Sequence, residues 1–219
     1  PARFMGLTGE GKMPGVTTYL TDYLAAADFS SAVESTGKKL QELYGLPAAY
    51  QLGLVVADAV SADQAMFEAG LPHAFLVGVR TDRWEENETD KPLTATLGFA
   101  YHQGYELELI EPGDNAQFYA RDIDPQGNIV VHHFGFMIKD LEDWMARLSA
   151  AGAPLLVRGK LRLGIVTGEF AYFDTRQDCG MITELISMKI LGVHARLPQA
   201  LVARLARFQV ASGKRCFSM

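Results

Sequence analysis

The chain has 219 residues, of which 48% are hydrophobic and 21% charged, a balance typical of a folded globular protein of one or two domains. Its 20 Lys and Arg against 26 Asp and Glu give a formal net charge of -6, which argues against a nucleic-acid binder and against a basic membrane-surface protein. No stretch is apolar over the roughly 18 residues that a membrane span needs. The first residues lack the apolar segment of a secretory signal, so we expect a cytoplasmic protein. The cysteines, Cys179 and Cys216, are expected to be free thiols.

Both ends of the chain are predicted to form helical additions to a central fold. Residues 1–47 are interpreted as an extended arm followed by a helix over 30–44, which ends at a Gly-Leu-Pro sequence. In the tail 191–219, apolar residues recur at helical spacing over 198–210, which predicts an amphipathic helix that packs on its own domain or on a second subunit. A homodimer is compatible with these additions.

The centre of the chain contains two similar segments, which indicates an internal duplication. The first covers 50–58 and the second 132–140. Each is a short β-rich run that ends in Asp, and each is followed by a helix and then by several strands. The order predicted for each half is therefore βαβββ, with modules over 48–116 and 117–190.

We expect the two modules to lie side by side and to form an α+β fold, in which one curved, eight-stranded mixed sheet forms a cup with helices outside. The strands predicted after the two module helices cover 74–81, 93–101 and 104–111 in the first half and 155–158, 161–173 and 180–188 in the second. The polar stretch 82–90 is predicted to be a solvated loop.

Strand alternation predicts four polar side chains on the inner face of this sheet, because residues two apart in a strand share a face. In the first strand of each module, Gln51 and His133 point away from the apolar face that suits packing under helices. In the last strands, Glu108 and Glu184 each precede Leu-Ile and are flanked by core-like residues. A buried carboxylate without a counter-charge costs several kcal/mol, so each is expected to meet a cation or a donor. In a regular strand His132 points the opposite way, and we expect it to pack or to donate to the site.

These motifs resemble the vicinal oxygen chelate superfamily, which includes glyoxalase I, methylmalonyl-CoA epimerase, extradiol dioxygenases and bleomycin-resistance proteins. The resemblance covers roughly 48–188 and is carried by His-His-Phe-Gly-Phe-Met-Ile-Lys-Asp at 132–140, Ala-Gly-Ala at 151–153 and Tyr-Phe-Asp at 172–174. It implies that paired βαβββ modules form a cup and that the first and last strands of each module supply one metal ligand apiece. The ligands that it implies are Gln51, Glu108, His133 and Glu184.

The chemistry of this set is coherent. One imidazole, one amide and two carboxylates suit a divalent metal ion such as Zn, Ni, Co, Mn or Fe, and four protein ligands leave room for a small-molecule substrate that binds through two neighbouring oxygens. Such an ion is a Lewis acid for the removal of a proton next to a carbonyl. By resemblance to glyoxalase I, Glu184 is the first candidate for the base and Glu108 the second. Gln51 is the weakest ligand candidate, and Glu106, which shares the face of Glu108, is an alternative to Glu108.

The sequence therefore predicts a metal-dependent lyase or isomerase/epimerase of glyoxalase-like type, and two other classes stay open. An Fe(II) extradiol dioxygenase needs two histidines and one carboxylate, and Gln51 occupies the place of one histidine. A metal-free binding or resistance protein usually lacks the ligand residues, whereas four polar residues are present here. The first strand, 51–55, also lacks the arginine with which glyoxalase I holds glutathione, and this disfavours glutathione as part of the substrate.

Overall fold

The computed structural model describes residues 17–218, so most of the predicted N-terminal arm lies outside the described residues. The helices are α1 (Leu20–Leu24), α2 (Phe29–Tyr44), α3 (Ala59–Glu68), α4 (Gln117–Ala120), α5 (Leu141–Ala150), α6 (Arg176–Cys179) and α7 (Gln199–Ala211). The strands are β1 (Gln51–Val55), β2 (Phe75–Glu86), β3 (Thr89–Asp90), β4 (Thr94–His102), β5 (Tyr105–Pro112), β6 (Val130–Met137), β7 (Leu155–Leu163), β8 (Val166–Phe173), β9 (Ile182–Ile190), β10 (Val193–His194) and β11 (Phe217–Ser218).

Eight of these strands form one closed mixed sheet. Around the barrel the order is β1, β5, β4, β2, β7, β8, β9 and β6, and β6 pairs with β1 again. In each module the first and last strands pair in parallel, β1 with β5 and β6 with β9. The modules join at two antiparallel seams, β1 with β6 and β2 with β7. The predicted βαβββ order and eight-stranded cup are confirmed, and both modules of one chain build it.

Alternation along the strands divides the core into an outer and an inner layer. Leu52 and Leu54 of β1 and Phe134 and Phe136 of β6 belong to the outer cluster, which also contains residues of α2, α3 and α5. Val55 belongs to the inner cluster, which fills part of the barrel. The polar neighbours of the outer-facing residues must therefore point into the barrel.

The Asp that ends each repeated segment caps the helix that follows. The Asp58 carboxylate accepts a hydrogen bond from the backbone N–H of Ser61 at the start of α3. The Asp140 carboxylate does the same with the backbone N–H of Asp143 at the start of α5. These bonds satisfy amides that have no partner inside the helix, which explains why both segments end in the same residue type.

Two predicted strand boundaries are wrong. The stretch 82–90 is not a loop, because β2 continues to Glu86 and pairs with β7 through residues 81–86. Asp82 and Arg83 are exposed, while Trp84 is buried in the inner cluster. Residues 161–173 form parts of two strands, because the chain turns at Gly164, whose φ of 58° suits glycine.

The helix predicted near the C-terminus is confirmed and packs on its own domain. Helix α7 lies against β2 and β4. Its buried Gln209 side chain accepts a hydrogen bond from the Leu76 backbone N–H at 2.8 Å and donates one to the Leu76 carbonyl at 2.7 Å. Gln209 thereby satisfies the backbone N–H and C=O of Leu76, in the part of β2 that does not pair with β7.

Within residues 17–218, no helix combines the length and apolarity needed to cross a bilayer. Cys179 and Cys216 are free thiols, as predicted.

The paired hydrogen bonds of Gln209 should contribute measurably to stability. We expect Gln209→Leu to lower the free energy of unfolding by about 2 kcal/mol, because it leaves a buried backbone N–H and C=O without partners. Gln199→Leu, at the exposed first residue of α7, is the matched control and should change stability by less than about 0.5 kcal/mol. Urea denaturation measures both variants, and equal losses would contradict this account of how α7 is attached.

Candidate metal centre

Three of the predicted ligands meet inside the barrel. Glu108 of β5, His133 of β6 and Glu184 of β9 each offer one ligand atom, and these atoms lie within 4.8 Å of one another. His133 Nε2 lies 3.1 Å from Glu184 Oε2 and 3.8 Å from Glu108 Oε2. The fourth predicted ligand, Gln51 of β1, lines the same cavity as the two glutamates. The predicted set therefore comes from the first and last strands of both modules.

A glycine in β1 makes room for the imidazole of His133. Gly53 lies opposite Glu108 on one side and opposite His133 on the other. A Cβ atom built on Gly53 would lie 1.8 Å from Cε1 of His133, a distance that no real contact allows. The ring therefore occupies space that any other residue at position 53 would fill.

The second module repeats this arrangement with the roles exchanged. Gly135 in β6 lies opposite Gln51 in β1 and opposite Glu184 in β9. A Cβ atom built on Gly135 would lie 2.6 Å from Gln51 Oε1. Each first strand thus supplies one polar side chain and one glycine, and the glycine accommodates the polar side chain of the other strand.

Several ligand atoms in the cluster are buried without a hydrogen-bond partner among the described residues. They are His133 Nε2, Glu184 Oε2 and Gln51 Oε1. Leaving a buried polar atom unpaired costs about 1–3 kcal/mol, and these atoms all face the interior of one barrel. A divalent cation would satisfy them, and a set of imidazole, carboxylate and amide donors suits Zn, Ni, Co, Mn or Fe. The residues present therefore fit a metal ion.

The electrostatics of the cluster also favour a cation. Burial raises the pKa of Glu108 well above its usual value, and the charges of Glu184 and Glu106 raise it further. Only 12% of the Glu108 side chain is exposed, so water does little to screen the carboxylates from one another. A bound dication would have the opposite effect, because it stabilises the charged form of both carboxylates.

Glu106, the alternative to Glu108, is bonded elsewhere. Its Oε1 accepts a hydrogen bond from Gln51 Nε2 at 2.8 Å, and its Oε2 accepts from Tyr50 at 2.9 Å and from the Tyr101 hydroxyl. Burial raises the pKa of Glu106, although these three donors oppose the shift. Glu106 therefore orients Gln51, whose Oε1 stays free, and it does not belong to the cluster that contains Glu108.

The prediction that His132 points away from the barrel interior is wrong, because β6 contains a bulge. The pairing of β6 with β1 shifts register at this point, and Val131 lies in the outer cluster together with Phe134, although the two are three residues apart and regular alternation would place them on opposite faces. The His132 ring lies 5.3 Å from that of Tyr119, which belongs to the inner cluster. His132 and His133 thus occupy the same side, and their Nδ1 atoms are 3.0 Å apart. Bulges of this kind redirect side chains next to functional sites.

The buried environment keeps His132 neutral at pH 7. Burial is the largest effect and lowers the pKa of His132 to about 4, although the nearby Asp122 carboxylate raises it. His132 Nε2 lies 3.4 Å from Asp122 Oδ2. Asp122 was not expected at the site from its position between α4 and β6, because no periodic pattern links it to the ligands.

Aromatic residues surround the cluster and lead into an apolar cavity. The hydroxyls of Tyr119 and Tyr172 lie 2.8 Å apart, and the Tyr172 ring is 5.1 Å from that of His133. Sequence reasoning missed Tyr119, which comes from the short helix α4. The cavity next to the glutamates has mostly apolar walls, which include Val79, Trp84, Leu97, Phe99, Phe170 and Leu197.

Comparison with known proteins identifies the family. Residues 50–173, more than half of the chain, match the model of the Glyoxalase/Bleomycin resistance protein/Dioxygenase superfamily, and the chain belongs to this family. The predicted resemblance to the vicinal oxygen chelate superfamily is thereby confirmed. A comparison with curated proteins finds no match.

The chain is also similar to several solved structures. Methylmalonyl-CoA epimerase from Mycobacterium tuberculosis is 19% identical with a TM-score of 0.44, over 64% of this chain and 87% of the epimerase. A variant of methylmalonyl-CoA epimerase from Streptomyces coelicolor, in complex with 2-nitronate-propionyl-CoA, is 19% identical with a TM-score of 0.42, over 69% of this chain and 99% of the epimerase. At these values the likeness carries no conclusion about activity.

The contact between Gly53 and His133 gives a direct test of the site. We expect Gly53→Ala to weaken binding of a divalent metal at least about tenfold, because the new Cβ displaces the imidazole of His133. The ligands of a metal ion tolerate shifts of only a few tenths of an ångström. Gly168→Ala in β8, where a Cβ would contact nothing within 4 Å, is the matched control. Titration with Zn²⁺ against a chromophoric chelator measures both affinities. Equal affinities in the two variants would mean that His133 takes no part in metal binding.

Proposed function

We propose that this protein is an enzyme that depends on a divalent metal ion and removes a proton from a carbon next to a carbonyl group. The proposed metal ligands are Gln51, Glu108, His133 and Glu184. The observation that supports them most strongly is the convergence of buried, unpartnered atoms on one point of the barrel interior, with two carboxylates beside the imidazole. When bound, an ion at this point supplies a Lewis acid that stabilises negative charge on the carbonyl oxygen of a small-molecule substrate.

The remaining catalytic roles are assigned to side chains of the protein. Glu184 is the proposed base, and Glu108 is the second candidate. The carboxylate takes the proton while the electron pair of the C–H bond moves towards the carbonyl oxygen. Return of the proton to the opposite face of the same carbon gives an epimer, and its return to the neighbouring carbon gives an isomer. The apolar cavity walls exclude water, which strengthens the electrostatic interactions of both carboxylates.

Two other functions receive less support from the geometry. An Fe(II) extradiol dioxygenase would need a second histidine in the cluster, but His132 directs its Nδ1 towards His133, and Gln51 stands where the other histidine would be. A metal-free binding protein would leave the polar atoms of the cluster unpaired inside an apolar barrel. A homodimer and a cytoplasmic location stay predictions from the sequence.

The metal content of the protein tests the proposal first. Protein purified without chelators should hold about one divalent ion per chain, measured by elemental analysis. His133→Ala should lose most of it, whereas His194→Ala, at the exposed strand β10, should retain it. Less than about 0.3 ion per chain, with no increase after metals are added, would instead favour a metal-free binding protein.

Proton exchange with solvent tests the chemistry. In deuterated water, the metal-loaded protein should exchange the proton next to the carbonyl of either a methylglyoxal hemithioacetal or a 2-substituted acyl-CoA, measured by NMR. Glu184→Gln should slow this exchange about 100-fold or more, because the amide accepts no proton. Glu169→Gln is the control with the same charge change, because Glu169 lies on the neighbouring strand β8 and pairs with Lys160. Absence of exchange with both substrates would contradict the proposal, and oxygen uptake with catechols would favour a dioxygenase.

A further inference from the structure

We infer that His132 and Asp122 are positioning residues that fix which nitrogen of His133 carries its proton, so that the other nitrogen is free to bind the ion. This inference rests on the metal site proposed above. It is carried by three side chains in series, in which Asp122 contacts His132 and His132 contacts His133. Neither Asp122 nor His132 belongs to the ligand cluster, and their effect on the ion is exerted through His133.

The contact between His133 and His132 defines which nitrogen of His133 carries the proton. Its Nε2 faces the carboxylates of Glu108 and Glu184 and has no hydrogen-bond partner among residues 17–218. A neutral imidazole that binds a cation through Nε2 must carry its proton on Nδ1. The nearest partner for that proton is Nδ1 of His132, at 3.0 Å. His133 therefore donates and His132 accepts.

The contact between His132 and Asp122 defines which nitrogen of His132 carries the proton. Because its Nδ1 accepts, the proton of this neutral ring is on Nε2. Asp122 Oδ2 lies 3.4 Å from this Nε2, which has no hydrogen-bond partner among the described residues, so the carboxylate acts on it through its charge. Partial burial raises the pKa of Asp122, but contact with His132 and the charges of Arg121 and Arg176 lower it more. The carboxylate is therefore charged near pH 7 and can only accept.

The opposite proton arrangement is electrostatically unfavourable. If His132 donated from Nδ1, the lone pair on its Nε2 would face the Asp122 carboxylate at 3.4 Å, so that two acceptors would oppose each other. His133 would then accept at Nδ1 and carry its proton on Nε2, where the ion is proposed to bind. The negative charge of Asp122 thus favours the tautomer of His133 that can bind the ion.

The surroundings hold the middle ring of this series in place. The His132 ring lies 5.2 Å from the Phe118 ring and 5.3 Å from the Tyr119 ring, and its side chain is 2% exposed. The bulge in β6 is what brings two consecutive histidines to the same side. A carboxylate that contacts a ligand imidazole directly is the usual arrangement in metal sites, and here a second imidazole is inserted between them.

Zinc affinity of the full chain tests the inference, measured by competition with a chromophoric chelator at one pH. We expect Asp122→Asn to weaken zinc binding about tenfold and His132→Phe about 10- to 100-fold. His132→Asn should recover part of the loss, because its side-chain oxygen can accept the proton from His133. Asp124→Asn removes the same charge two residues away, where the carboxylate bonds to Asn128, and should leave the affinity unchanged.

A spectroscopic signature separates this role from a merely structural one. Long-range ¹H–¹⁵N correlation spectra of the zinc-loaded protein should show a proton on Nδ1 of His133 and on Nε2 of His132. A proton on Nδ1 of His132, or equal affinities for Asp122→Asn and Asp124→Asn, would overturn the inference while leaving the metal site intact. Failure of the unmodified protein to bind zinc or any other divalent ion would overturn the proposed site and the inference together.

Discussion

The burial of two carboxylates beside one imidazole is the constraint on which the rest of this structure depends. Two like charges about 5 Å apart repel by on the order of 3 kcal/mol at the effective dielectric of a protein interior. One histidine offers at most one positive charge to both carboxylates, and its Nε2 is left unpaired among the described residues. A divalent ion satisfies the geometry and the charge at once. The metal-dependent function proposed here follows from that balance.

The duplicated fold is what assembles this cluster. Each module supplies its first and last strands to the site, so neither module alone contains all of the proposed ligands. At the seam between β1 and β6, Gly53 makes room for His133 and Gly135 makes room for Gln51. Closure of the barrel surrounds these groups with apolar residues, which raises the cost of leaving them unpaired.

The sequence was sufficient to predict the modules and the inner face, because both depend on local periodicity. Alternation in short strands assigns Gln51, Glu108, His133 and Glu184 to one side without any knowledge of strand partners. The same reasoning failed for His132, because a bulge interrupts alternation and has no sequence marker here. It also failed for 82–90, because a run of mostly polar residues in β2 resembles a loop in sequence. Contacts such as that of Asp122 with His132 depend on the tertiary fold, which periodicity does not encode.

The most direct measurement is the anomalous diffraction of crystals of this protein grown with Zn²⁺, recorded on both sides of the zinc absorption edge. We expect one strong peak inside the barrel, at about 2.0–2.2 Å from His133 Nε2 and from carboxylate oxygens of Glu108 and Glu184. Crystals that show no peak at this point, with the three side chains turned apart or hydrogen-bonded to one another, would contradict the account.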